Sequence, residues 1–71
     1  MSKLKLSKKE VEKILNDDDY MTDRQKLIFK FYYVKGWIAE KIGGEINRSE
    51  ITVYRELAKI KENISKILND R

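Results

Sequence analysis

The sequence predicts an all-α fold, a small single domain of four helices, and three observations support this. Two segments have the form of a capping box, with Ser or Thr followed three residues later by Glu or Gln. Apolar residues recur every three or four positions, as they do on one face of a helix. No run alternates apolar and polar residues as a strand would. The 71 residues fit one domain (1–71) with a thin core.

The first helix is predicted over 8–16. Ser7 and Glu10 form its capping box, and short polar residues from Asn16 onward favour a loop. The acidic run at 17–19 is interpreted as a solvated loop. A calcium loop would need further oxygen ligands at positions that Tyr20 and Met21 occupy.

The second helix is predicted over 23–35. Thr22 and Gln25 form the second capping box, and Gly36 is suited to the left-handed position that follows a helix. Its inner stripe is predicted to be Leu27, Ile28, Phe31 and Tyr32. Two further aromatic residues widen the apolar sector, and we expect the following helices to cover them rather than leave a contact surface: Phe29 and Tyr33.

The third and fourth helices are predicted over 39–46 and 50–69. Gly43 and Gly44 lie inside the third helix, at a cost of about 1 kcal/mol each relative to Ala, which indicates that another backbone comes close. A loop at 47–48 and an N-cap at Ser49 precede the fourth helix, whose apolar residues keep a regular spacing almost to the end.

The predicted core draws on all four helices. Its members are Val11, Ile14, Leu15, Leu27, Phe31, Ile42, Ile46, Val53, Leu57 and Ile60. The apolar stripe of the fourth helix continues beyond the reach of the short third helix, through Ile64, Ile67 and Leu68. Either the first helix or a second copy of the chain covers it. The two-fold symmetry of many DNA sites favours a homodimer.

Composition excludes several classes of function. The chain has no Cys and no His, so it lacks thiol chemistry, disulfides, the commonest metal ligand and the usual general base. We therefore expect no enzyme, no cofactor and no metal site. No apolar run reaches the ~20 residues that span a bilayer, and no apolar stretch follows the basic N-terminus as in a signal peptide. These observations predict a cytoplasmic protein that does not enter membranes.

A short helix, a tight turn and a second helix capped by Ser have the order of a helix-turn-helix, here over 39–57. In that motif the second helix projects into the major groove of DNA. The long C-terminal helix is therefore the predicted recognition helix.

Residues 21–57, about half of the chain, resemble region four of bacterial sigma factors and the small phage and Firmicute regulators built on it. The most specific part of the resemblance is 52–57. The residues that carry it are Tyr33, Gly36, Trp37, Ile42, Gly43, Ile46, Ser49, Thr52, Val53, Tyr54, Arg55 and Leu57. The resemblance implies a DNA-binding transcription regulator.

The predicted DNA-binding residues lie on the third helix, the turn and the exposed face of the fourth helix. They are Lys41, Arg48, Ser49, Glu50, Ile51, Thr52, Tyr54, Arg55 and Lys59. Arg55 is expected to reach a guanine edge or a phosphate, Ile51 a thymine methyl, and Tyr54 the backbone. Lys41 and Lys59 would neutralise flanking phosphates, as would a flexible basic arm at 1–6. Trp37 is interpreted as an anchor at or near the core.

A second interpretation is a phage or host protein-binding module that reuses the helix-turn-helix fold. Its partner would be RNA polymerase, a nuclease or a defence factor. Residues 36–57 carry four Glu against one Lys and two Arg, a net charge of −1, and Ile51 presents an apolar side chain on the face that would meet DNA. Salt-dependent binding to duplex DNA would separate this interpretation from the first.

Overall fold

The computed structural model describes residues 6–69, and it is all-helical there. Four α-helices follow one another along the chain: α1, Lys8–Leu15; α2, Asp23–Phe29; α3, Ala39–Ile46; and α4, Glu50–Asn69. These bounds confirm the predicted all-α class and the predicted limits of α3 and α4. The predicted basic arm at 1–6 lies outside the described residues except for Leu6, which is half-buried.

Both predicted capping boxes are present. Ser7 Oγ accepts a hydrogen bond from the Glu10 N–H at 3.2 Å, and Glu10 Oε1 accepts one from the Ser7 N–H at 2.8 Å. Thr22 and Gln25 exchange the same pair of bonds, each at 3.1 Å. The caps satisfy amide groups that the first turn of a helix leaves without partners.

The acidic run between α1 and α2 forms a loop, as expected. Asp17 Oδ2 accepts hydrogen bonds from the amides of Asp19, at 3.2 Å, and Tyr20, at 2.6 Å. Asp18 pairs with Lys26 at 3.1 Å, and the Asp18 side chain is almost fully exposed. The carboxylates of Asp17 and Asp18 therefore hold the local chain together and the start of α2 in place.

The prediction of one regular helix over 23–35 is wrong in its last turn. A π-helical segment, Lys30–Val34, follows α2, and the Lys35 amide donates to the Lys30 carbonyl at 3.0 Å. Gly36 then adopts the predicted left-handed conformation, with φ 76°. Three aromatic residues lie within the π-helical segment: Phe31, Tyr32 and Tyr33.

The inner face of α2 also differs from the prediction. Leu27, predicted in the core, is 42% exposed, whereas Phe29 is completely buried, as expected from cover by the following helices. The buried face is centred on Gln25, Ile28 and Phe29, and Phe31 is only half-buried. Gln25 tolerates burial because its amide also donates to Glu56 Oε1 at 3.3 Å. Because a polar residue occupies an inner position, the spacing of apolar residues alone does not identify the buried face of α2.

Helix α4 is the element against which α1, α2 and α3 all pack. The buried apolar side chains are Ile14, Met21, Ile28, Phe29, Ala39, Ile42, Val53, Leu57, Ile60, Ile64 and Ile67. Of the other predicted core residues, four are partly buried against this cluster: Val11, Leu15, Phe31 and Ile46. Met21 was not predicted.

The C-terminal stripe of α4 is covered within one chain. Ile64 and Ile67 are buried, and α1 packs against α4 with Ile14 completely buried. The stripe therefore needs no second copy for its burial, which removes one reason for expecting a homodimer. The homodimer itself stays a prediction.

A close backbone approach joins α3 to the start of α4. A Cβ atom at Gly43 would lie 2.6 Å from the Arg48 carbonyl oxygen, a distance that real Cβ atoms do not show. Gly44 has nothing within 4 Å of the same position. The predicted close approach is therefore confirmed at Gly43 and wrong at Gly44.

Leu57→Ala is expected to lower the free energy of unfolding by about 2–5 kcal/mol, because it removes a buried side chain and leaves a cavity beside α4. Leu27→Ala makes the same chemical change at an exposed site and is expected to stay within about 0.5 kcal/mol of wild type. Urea denaturation measures both. Equal losses in the two variants would contradict this assignment of the core.

Gly43→Ala and Gly44→Ala are expected to shift the melting temperature in opposite directions. The new methyl at Gly43 meets the Arg48 carbonyl and costs about 1–3 kcal/mol, whereas at Gly44 it has room and gains about 0.5–1 kcal/mol of helix propensity. Thermal denaturation followed by circular dichroism compares them. A stabilising Gly43→Ala would show that the two backbones do not need this contact.

Candidate functional site

The candidate site is the outer face of α4, which we define as the exposed side chains in the first half of this helix. Val53, Leu57 and Ile60 point into the core, so the helical period turns the intervening residues outward. The outer face consists of Glu50, Ile51, Tyr54, Arg55, Ala58 and Lys59, all exposed. This agrees with the predicted exposure of these side chains.

The hydroxyl groups of Ser49 and Thr52 lie together at the N-terminus of α4. Ser49 Oγ accepts a hydrogen bond from the Thr52 amide at 3.1 Å, and the two hydroxyls lie 3.0 Å apart. Ser49 is therefore the predicted N-cap of α4. Thr52, predicted to bind DNA, is half-buried and takes part in the cap.

The turn before α4 is short and well defined. Asn47 adopts a left-handed conformation, with φ 59°, that Asn tolerates better than most residues. The Arg48 amide donates to the Gly43 carbonyl at 2.8 Å, which satisfies a carbonyl at the end of α3. These bonds leave the Arg48 side chain exposed at the corner between the two helices.

Lys41 lies on the exposed side of α3, next to a tryptophan. Its Nζ atom is 4.2 Å from the centroid of the Trp37 ring. Trp37 is half-buried and packs against the core, as the sequence predicted. Sequence analysis did not predict this contact between the two side chains. The local signal for it is that Lys41 follows Trp37, the residue after Gly36, by four residues.

The basic side chains of the candidate site are available for an anionic partner. Within residues 6–69, none of these cations forms an ion pair, and all of them are exposed: Lys41, Arg48, Arg55 and Lys59. Glu50, also exposed, is the acidic member of the outer face. The outer face thus combines unpaired positive charge with two large apolar side chains, Ile51 at 67% exposure and Tyr54 at 56%.

One tyrosine near the site has a shifted pKa. Burial raises the pKa of Tyr33 above 10.0, and the neighbouring Tyr32 raises it further. The Tyr33 ring packs against Phe29, with centroids 5.3 Å apart. Tyr33 therefore stays neutral at physiological pH and adds no charge to the surface.

No group of three or more Asp, Glu, His or Cys side chains within residues 6–69 is arranged to hold a metal ion. No helix in this range is both long enough and apolar enough to cross a membrane.

The nine predicted DNA-binding residues lie on three consecutive elements: α3 carries one, the turn carries two and α4 carries the rest. All are exposed except Thr52.

Comparison of the chain with protein-family models, with curated proteins and with solved structures finds no match.

Proposed function

We propose that this chain is a DNA-binding transcription regulator that reads the major groove with the outer face of α4. The observation that carries the proposal is the α3–turn–α4 unit, in which Gly43 lets the start of α4 approach α3 closely. A short helix packed in this way against the start of a longer one is the arrangement of a helix-turn-helix. The resemblance of residues 21–57 to sigma region four supports the same conclusion.

Arg55 is the residue we assign to base reading. It lies in the second turn of α4, is exposed, and has no carboxylate partner among residues 6–69. Its planar guanidinium can donate two parallel hydrogen bonds to the O6 and N7 atoms of guanine. Ile51, one turn earlier, is suited to a thymine methyl, and the adjacent Tyr54 to the sugar-phosphate backbone.

Positive charge around this face supports binding to the DNA backbone. Lys59 lies one turn beyond Arg55, and Arg48 lies at the corner before α4. The amides of the first turn of α4 and its helix dipole also suit an anion. One of these amides, that of Thr52, already donates a hydrogen bond to the Ser49 hydroxyl. Each phosphate neutralised in this way adds to the salt dependence of binding.

One observation favours a second function, a module that binds a protein such as RNA polymerase, a nuclease or a defence factor. Ile51 and Tyr54 expose more than half of their surface on the same face as Arg55. Aromatic and Arg side chains are enriched at the centres of protein interfaces. The net charge of −1 over residues 36–57 is unfavourable beside a phosphate backbone but does not oppose contact with a protein surface.

Arg55→Ala is expected to weaken binding to a specific site by about 1–3 kcal/mol and to relax selectivity at one base pair, because it removes the two-pronged donor. Selection of bound duplexes from a random-sequence pool identifies the site, and fluorescence anisotropy measures the affinity. If Arg55→Ala leaves DNA binding unchanged but abolishes binding to RNA polymerase or another protein, the second function replaces the first.

Lys59→Ala is expected to weaken binding to all duplexes alike and to reduce the slope of log K against log salt by roughly one unit. Lys61→Ala is the matched control, since Lys61 is on the same helix but lines the groove between α1 and α4. We expect the control to keep the wild-type slope. Equal effects of the two variants would contradict the assignment of the outer face.

A further inference from the structure

A stack of side chains lies beside the start of α3, and the proposed base-reading residues do not account for it. The rings of Phe31 and Trp37 are parallel to within 4°, with centroids 4.3 Å apart. The ammonium group of Lys41 lies 4.2 Å from the Trp37 centroid, and that of Lys35 lies 5.7 Å from it. Two ammonium groups therefore lie close to the same indole ring. We call these four residues the tryptophan cluster.

The backbone holds the tryptophan cluster in place. Gly36 reverses the chain in the left-handed conformation, and the Trp37 amide donates to the Phe31 carbonyl at 2.9 Å. This bond folds Trp37 back over the end of the preceding helical segment, so its ring meets Phe31. The platform is therefore built into the fold, whereas the lysines that lie over it are exposed.

Among residues 6–69, neither lysine has an acidic partner. Lys41 has Glu40 beside it and Glu45 four residues on, yet within residues 6–69 neither Lys41 nor Lys35 forms an ion pair. An ammonium over an aromatic face is attracted by the ring quadrupole and keeps its full charge. A phosphate bound beside the ring would be attracted by both charges.

We propose that the tryptophan cluster is a phosphate-binding site for duplex DNA, in which Lys35 and Lys41 contact the backbone and Trp37 is a positioning residue. The inference rests on the proposed function. In a helix-turn-helix the first helix crosses the DNA backbone while the second enters the groove, and Lys41 lies on the exposed side of that first helix. A rigid indole reduces the freedom that a flexible lysine loses when it binds.

The test is a double-mutant cycle read by binding to a random-sequence duplex. Wild type, K41Q, W37L and W37L/K41Q are titrated by fluorescence anisotropy between about 50 and 200 mM salt. K41Q is expected to weaken binding about three- to tenfold in wild type and much less in the W37L background, because the ammonium is no longer held there. W37F retains an aromatic face and is expected to restore part of the coupling.

Further controls separate this site from the rest of the protein. K35Q/K41Q is expected to reduce the salt slope by about two units, and K61Q to leave it unchanged. Because Trp37 is the single tryptophan, its fluorescence should change when duplex is added to wild type and should change less in K35Q/K41Q. Circular dichroism establishes that each variant is folded, and the salt slope and tryptophan fluorescence of K35Q/K41Q carry the test if W37L is not.

Three results would overturn the proposal. An equal cost of K41Q in the wild-type and W37L backgrounds would show that Trp37 does not position the lysine. A wild-type salt slope in K35Q/K41Q, with binding still weakened by R55A, would remove the phosphate site and leave the proposed function standing. Absence of duplex binding by the wild-type chain at about 50 mM salt would overturn both.

Discussion

The contact between Gly43 and the Arg48 carbonyl is the constraint on which the arrangement of this domain depends. No side chain fits at position 43, because a Cβ atom there would come within 2.6 Å of that oxygen. The Arg48 amide donates back to the Gly43 carbonyl at 2.8 Å, so the end of α3 and the beginning of α4 are tied at one point. The direction of α4, and therefore the orientation of its outer face, follows from this contact.

A chain of this size has a small core, and the other three helices all pack against the same surface, that of α4. Its inner stripe packs against α1, α2 and α3. Two polar bonds fix it further: the Gln25 amide donates to Glu56, and the Asn63 amide donates to the Tyr20 carbonyl at 2.8 Å. The inner side of α4 is thus buried in the fold, and its opposite side is exposed in the first half of the helix.

Local signals in the sequence were sufficient for most of this architecture. The capping boxes at Ser7 and Thr22 depend on neighbouring residues alone, and the long apolar repeat of α4 defines its inner face by itself. The inner face of α2 could not be predicted in this way, because Gln25 is buried through a bond to a residue distant in sequence, Glu56. Tertiary contacts of this kind override hydrophobic periodicity.

The candidate site likewise combines features that local sequence patterns predict with features that they do not. Exposure of Ile51, Tyr54 and Arg55 follows from the period of α4 and was predictable. The π-helical segment and the ring stack between Phe31 and Trp37 were not, since apolar spacing does not distinguish a π-helical turn from an α-helical one. Lys41 follows Trp37 by four residues, but that spacing alone does not indicate that its ammonium group lies over the ring.

The most direct test of the central claim is a titration of the isotope-labelled chain with duplex DNA, followed by amide chemical shifts. If the outer face of α4 reads DNA, the largest shift changes fall at residues 48–59, with a second set around Lys41 on α3. Changes concentrated in α1 and the last turns of α4, or none at about 50 mM salt, would contradict the account.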